Sequence, residues 1–269
     1  MVKFYSTSYD YDYSFPAVSL AYFLRYPNPY STHVLSTDVI DRYFDPETQR
    51  MTTVRLHLKR SKLPTAVVKL LPKSILGSSS DGNSTSYILE RSTIDIKEGW
   101  MKTENRNMDW TAVLSVIESQ EYRRPGGALT GESANPSQQA ARETTNVTTT
   151  VTLRSHIGEN IRKRRARIAE AAANDSDNQP SIGFFKSWTT GSIQRSIELI
   201  GLRRAEGAQP KAKEGMRVVL ERLRDGGLVG VLEGMRRDRE LVFANQSDRK
   251  VQSDNSASSS TPDIDWRDD

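Results

Sequence analysis

The sequence predicts an α+β fold, in which a curved antiparallel sheet is wrapped on a long helix late in the chain. Three observations carry this. Seven segments up to Ile157 have the alternating or Val-, Thr- and Tyr-rich composition of strands, with turn residues between them. A short apolar stretch opening at Pro16 separates the first strand from the second. Beyond the last strand, apolar residues recur at helical spacing. Strands first and helices last place the helices together on one face of an antiparallel sheet. A helix laid across a bent sheet leaves space between the two layers, a natural place for an apolar ligand.

The elements follow in order. Lys3 to Tyr13 reads as a strand, then Pro16 opens a short helix with Ala17, Leu20, Ala21 and Leu24 on one face. That helix stops near Arg25, because Pro27 pushes Tyr26 out of the helical region. His33 to Phe44 and Arg50 to Lys59 form a hairpin around Asp45-Pro46-Glu47. In the return strand Val54, Leu56 and Leu58 share one face, and Arg55, His57 and Lys59 share the other. Ser86 to Ile96, Trp100 to Asn107, Thr111 to Tyr122 and Val147 to Ile157 are the remaining strands. Arg123 to Thr145, rich in Gly, Pro, Ser, Gln and Ala, reads as a disordered insertion. A broken helical region follows, with a break at Gly207 to Pro210. After it Met216, Val219, Leu220 and Leu223 make one stripe, which Gly226-Gly227 ends. This divides the chain into a domain at 1–225 interrupted at 123–145, a short helical extension at 226–244, and a disordered polar tail at 245–269.

Composition limits the function. Hydrophobic residues make up 36% of the 269, and the mean hydropathy is -0.62. These values suit one compact domain diluted by polar stretches. No apolar run is long enough for a membrane-spanning helix. The Met1 to Tyr5 start has neither a secretory nor a transit pattern, so an organelle address is expected from elsewhere, such as a partner. Cysteine is absent, which excludes disulfides, thiolate metal sites and a cysteine nucleophile. No glycine-rich phosphate loop, metal-ligand cluster or nucleophile elbow occurs, and the three histidines are scattered, so no cofactor, no metal and no enzyme activity is expected. The net charge of +4 favours acidic partners. The run Arg162 to Arg167 reads as a solvated helix face that could touch anionic membrane.

The stretch Arg25-Tyr26-Pro27-Asn28-Pro29-Tyr30-Ser31-Thr32-His33-Val34-Leu35-Ser36 resembles the PRELI-like (Ups/PRELI) family. Arg55, Lys62-Leu63-Pro64, Met101-Lys102-Thr103 and Asn105-Arg106-Asn107 add to the match, which is good to about Tyr122. Trp188 and Gly215-Met216 anchor it beyond. The Asn-Pro-Tyr version looks like the family's phosphatidic-acid carriers more than its phosphatidylserine carriers. The resemblance implies a seven-stranded antiparallel sheet around a long C-terminal helix, with phosphatidic acid held in a tunnel. It implies a lid loop at Leu63, Pro64, Val67, Val68, Leu70 and Leu71. It also implies a peripheral, transient contact with mitochondrial membranes, and a small helical partner with paired cysteine motifs in the intermembrane space. Transfer from outer to inner membrane would then feed cardiolipin synthesis. The family expects a further lysine shortly after the position of Trp188, where Arg195 is a candidate substitute.

The chemistry of such cargo is demanding. At about 0.8 kcal/mol per methylene, exposing two chains of roughly fifteen methylenes would cost about 24 kcal/mol, so the tails must be enclosed. The phosphate needs donors once out of water, bidentate from Arg and point-like from Lys. The resemblance carries the head-group role to Arg25, His33, Lys59, Lys62 and Lys211, with Arg55 and Lys213 beside them. By themselves Arg55, His57 and Lys59 read as a solvated strand face, and a lone His33 as structural. The competing readings are a phosphatidylserine carrier, or a basic adaptor that binds anionic membrane or RNA. Nucleic acid is not the expected partner, because no binding motif or interleaved surface aromatics occur.

Overall fold

A computed structural model describes residues 2–62, 83–111, 113–125, 144–156, 166 and 190–258; for 2–3, 61–62, 83–84, 190–194 and 243–258 it describes the backbone alone. Strand β1 (Val2–Tyr11) leads into helix α1 (Phe15–Phe23) and a single 3-10 turn (Pro29–Ser31). Then come β2 (Val34–Asp45), β3 (Arg50–Lys62), β4 (Asn83–Asp95), β5 (Trp100–Asn107), β6 (Leu114–Arg123) and β7 (Thr145–Ser155). The helical stretch α2 (Thr190–Ser258) closes the described chain. All pairings are antiparallel, in the order β1-β7-β6-β5-β4-β3-β2. The last strand therefore docks on the first, and β2 is left as an edge.

Both helices pack on one face of this sheet, as the order of patterns in the sequence requires. Register aligns Met51, Ile94, Met101, Tyr122, Val147 and Tyr9 across that face. Phe15, Val18, Ala21 and Tyr22 of α1 and Met216, Val219 and Leu220 of α2 close over them. Each such side chain contributes about 1.5–3 kcal/mol of burial. One row further along, Thr53, Ser92, Thr103, Gln120 and Thr149 run across five strands, all buried. The inner face thus grades from apolar at one end to hydroxyl-rich and then charged.

Several expectations are corrected. The buried face of α1 is Phe15, Val18, Ala21 and Tyr22, while Leu20 is exposed. The Tyr22 ring, whose centre lies 5.5 Å from that of Tyr122, decides the face, not the aliphatic count. On β3 it is Thr53, Arg55 and His57 that are buried, and Val54, Leu56 and Leu58 are only half-buried. The charged face points inward because it meets a carboxylate there. No break occurs at Gly207–Pro210, since α2 runs through Pro210. A proline inside a helix costs about 3 kcal/mol. Ile197 before it and Met216 after it are both buried, and their packing offsets that local cost.

The real interruption is Gly227, whose φ of 58° lies where side chains other than Gly are strained. Gly226-Gly227 ends one helical segment, as expected, but a second begins at once and doubles back. Arg222 Nη1 lies 2.6 Å from Asp238 Oδ2, sixteen residues on. A straight helix would hold these residues about 24 Å apart at 1.5 Å per residue. Val231 is completely buried in the core, and the backbone stays helical to Ser258, past the expected start of the tail at 245. Of the expected insertion, Arg123 ends β6 and Thr145 begins β7, and 126–143 lie outside the described residues. The run Arg162 to Arg167 lies outside them too, except Ala166.

Candidate functional site

Glu90 sits at the charged end of the inner face, with no surface exposed. Strand register sets Arg55 directly opposite it. Arg55 Nε donates to Glu90 Oε1 at 2.7 Å, and its Nη1 donates to the Phe23 carbonyl at 2.9 Å. From the end of α1, Arg25 Nη2 donates to Glu90 Oε2 and Nη1 to the Tyr22 carbonyl. The Arg25 guanidinium also lies 3.7 Å from the Tyr22 ring centre and 4.6 Å from that of Tyr26. His57 Nε2 stands 3.1 Å from Glu90 Oε2, and its Nδ1 is 2.9 Å from Thr37 Oγ1.

The charges decide the protonation states. Burial would raise the Glu90 carboxyl, but Arg25, His57 and Arg55 hold it well below its ordinary value. Burial lowers the His57 imidazole, and Arg25 and Lys59 add to this against the pull of Glu90. His57 is therefore neutral near pH 7. An ionised carboxylate only accepts, so His57 donates from Nε2 to Glu90 and accepts at Nδ1 from the Thr37 hydroxyl. Two guanidiniums against one carboxylate leave the cluster with a net positive charge. Tyr26 registers that field. Burial would raise its phenol, yet Lys59 and Arg25 hold it below its ordinary value.

A second group of cations, Lys59, Arg204 and Lys211, lies around His33. His33 precedes β2, and its carbonyl accepts from Arg60 N at 2.7 Å. Lys59 is registered against Val34, the next residue, and its Nζ lies 5.7 Å from the Tyr26 ring. Arg204 and Lys211 are seven residues apart in sequence, so they share one face of α2. Partial desolvation, then the charges of Lys59, Arg204 and Lys211, bring the His33 imidazole down to about 4.

The residues expected at the site are thus divided. Arg25 and Arg55 are turned onto Glu90, and Lys59 and Lys211 act together on His33. Lys213 stands apart, with its Nζ 4.9 Å from the Tyr9 ring near the opposite edge of the sheet. Lys62 ends β3 opposite Asn83, and its side chain lies outside the described residues. So does the whole expected lid from Leu63 to Pro72. Arg195 is exposed on α2. Sequence reasoning missed Glu90 and Arg204. The first was legible only as a lone acid on the same strand face as Ser92 and Ile94, and the second only as the cation seven residues before Lys211.

The loop between the two groups is held by Asn28. Its Nδ2 donates to the Arg25 carbonyl at 2.5 Å, and its Oδ1 accepts from Tyr30 N at 2.9 Å. Helix α2 approaches this side chain closely at Gly215, where a Cβ would stand 2.9 Å from Asn28 Oδ1.

Fold and site together define an α+β module whose antiparallel sheet encloses helices and gathers cations at one end of its inner face. The chain belongs to the PRELI-like family, whose family model matches residues 16–166, more than half of the sequence. That is a family of lipid-transfer proteins, not of enzymes. The chain is 42% identical over 109 residues to the "Protein ups1 homolog" of Schizosaccharomyces pombe, covering 40% of this chain and 57% of that protein. It is 39% identical over 123 residues to "Protein UPS1, mitochondrial" of Saccharomyces cerevisiae, covering 46% of this chain and 65% of that one. It is 32% identical over 122 residues to "PRELI domain-containing protein 1, mitochondrial" of Mus musculus, covering 45% and 52%. The matches thus span between about half and two thirds of these curated relatives.

Proposed function

We propose that this protein extracts a single phosphatidic-acid molecule from a membrane and carries it from the outer to the inner mitochondrial membrane, in support of cardiolipin synthesis. The observation that carries the reading is the positive field around Tyr26. The Arg25 guanidinium lies 4.6 Å and Lys59 Nζ 5.7 Å from the Tyr26 ring centre, and the charges of Lys59, Arg204 and Lys211 act on His33 nearby. A phosphate monoester with one to two negative charges suits such a place, and guanidinium and ammonium donors replace its lost water. Family membership supplies the lipid, and the mitochondrial names of relatives support the intermembrane space as the compartment. Head-group contact is assigned to His33, Lys59, Lys211 and Arg204. Arg25 and Arg55 stand behind them, with Lys62 at the end of β3 and Lys213 at a distance. Leu63 to Pro72 remains the proposed lid, and a small helical protein with paired cysteine motifs the proposed partner.

The test is transfer of labelled phosphatidic acid between liposomes by the full chain, co-purified with that partner. Reversing Arg25 would set a second carboxylate against Glu90 and unfold the site. The informative variant is therefore Lys59→Glu with Lys211→Glu, at positions that keep access to solvent. Transfer is expected to fall by at least about tenfold with the unfolding midpoint preserved. Unchanged transfer would reject the site, and faster transfer of phosphatidylserine than of phosphatidic acid would reject the cargo.

A further inference from the structure

The segment that doubles back after Gly227 uses only one face to hold itself in place. Val231, Gly234, Met235 and Asp238 recur at helical spacing and point inward. Val231 is fully buried, Asp238 is paired with Arg222, and the Arg222 guanidinium lies only 2.6 Å from where a Cβ at Gly234 would stand. The opposite face has no cover. Leu228, Val229 and Leu232 are 50%, 65% and 51% exposed, and Glu233, Arg236 and Glu240 continue that face, all exposed. Arg236 Nε lies 3.9 Å from Glu240 Oε1 with both side chains largely in water, where such a pair contributes little, so Arg236 is open to a further partner. Among the described residues Glu233 forms no ion pair. Residues 228–242 lie outside the stretch 16–166 that the family model matches.

We propose that this face pairs with the same face of a second copy of the chain, antiparallel, about a two-fold axis level with Gly234. Reversing the helix sets Leu232 of one copy over the stem of the other copy's Arg236, and Glu233 beside that guanidinium. The two-fold axis repeats both contacts. The order of residues is its own complement, with the apolar positions first, then an acid, then a base three positions later. A lipid surface is the poorer occupant, because Glu233 and Glu240 would be set against its anionic head groups. One helix pair about four turns long buries less than the roughly 1,200–2,000 Å² of stable complexes, so the association is weak and set by concentration.

Sedimentation equilibrium of the full chain from about 1 μM to about 1 mM measures it, and a reversible equilibrium of monomer and dimer is expected. Leu232→Glu should weaken the dimer by at least about tenfold with the unfolding midpoint unchanged, because that side chain is exposed in the single chain. Glu233→Arg and Arg236→Glu should each weaken it too, since like charges then meet twice across the axis. Mixing these two variants restores opposite charges on both sides. The mixed dimer should therefore form at least about tenfold more tightly than either parent dimer. A wild-type chain that stays monomeric, a dimer indifferent to Leu232→Glu, or a mixed dimer no tighter than its parents would overturn the proposal. Flotation of a monomeric chain with vesicles of phosphatidylcholine and phosphatidic acid, abolished by Leu232→Glu, would overturn it as well and assign the face to a membrane.

Discussion

Replacing Glu90 by Ala removes the one carboxylate that two buried guanidiniums share. Glu90 has no exposed surface, Arg55 keeps 3% and Arg25 8%, so water cannot take its place without the sheet opening. Deleting one partner of a buried ion pair costs about 3–5 kcal/mol, because the remaining charge has lost both its hydration and its counter-ion. Here Arg25 and Arg55 are stranded together and His57 loses its acceptor, so the upper half of that range applies. For a domain of this size each kcal/mol moves the midpoint by about 2–4 °C, which gives a fall of about 8–20 °C. Thermal unfolding followed by circular dichroism near pH 7 measures it. Replacing Arg25, Arg55 and Glu90 together by Met should recover much of the loss, because no charge is then stranded. The pH dependence has a defined sign. The folded-state pKa of Glu90 is depressed, so its stabilisation is present above the unfolded value of 4.5 and is lost only as pH falls through the lower folded value. The Ala variant should lack that acid limb. A shift of less than about 2 °C would show the cluster to be hydrated and the reasoning wrong.

Two further outcomes are expected. In the lipid-free protein the His33 imidazole should titrate near 4 by NMR, well under its ordinary 6.5. Because the unfolded chain then takes the proton more readily, stability should decline as pH falls from about 6.5 towards 4. Added salt should raise the midpoint by screening Lys59, Arg204 and Lys211, and phosphatidic acid should raise it further; a midpoint at 6.5 that ignores both would show the His33 surroundings to be uncharged. Gly215→Ala should destabilise by about 1–3 kcal/mol in urea unfolding, since its Cβ would displace the buried Asn28 amide. A double-mutant cycle with Asn28→Ala should show coupling above about 0.5 kcal/mol, and strict additivity would remove Asn28 as the cause.

Much of this fold is legible in the sequence because its signals are local. The strand from Trp100 to Asn107, the hairpin around Asp45, the short helix led by proline and the Met216–Leu223 stripe each follow from periodicity and turn chemistry within a few residues. The Arg-Tyr-Pro-Asn-Pro-Tyr stretch likewise marks the loop after α1 that Asn28 holds. What tertiary structure decided are the places where distant segments meet. Arg55 and His57 face inward because Glu90, 35 and 33 positions away, and Arg25, 65 positions from that same acid, share one buried point. Helix α2 crosses Pro210 because packing on both sides outweighs a local penalty, and the chain reverses at Gly227 because Asp238 finds Arg222. Local pattern sets what a segment can become. Which face is buried, and which charges are tolerated there, depends on desolvation and on partners that only the assembled chain brings within reach.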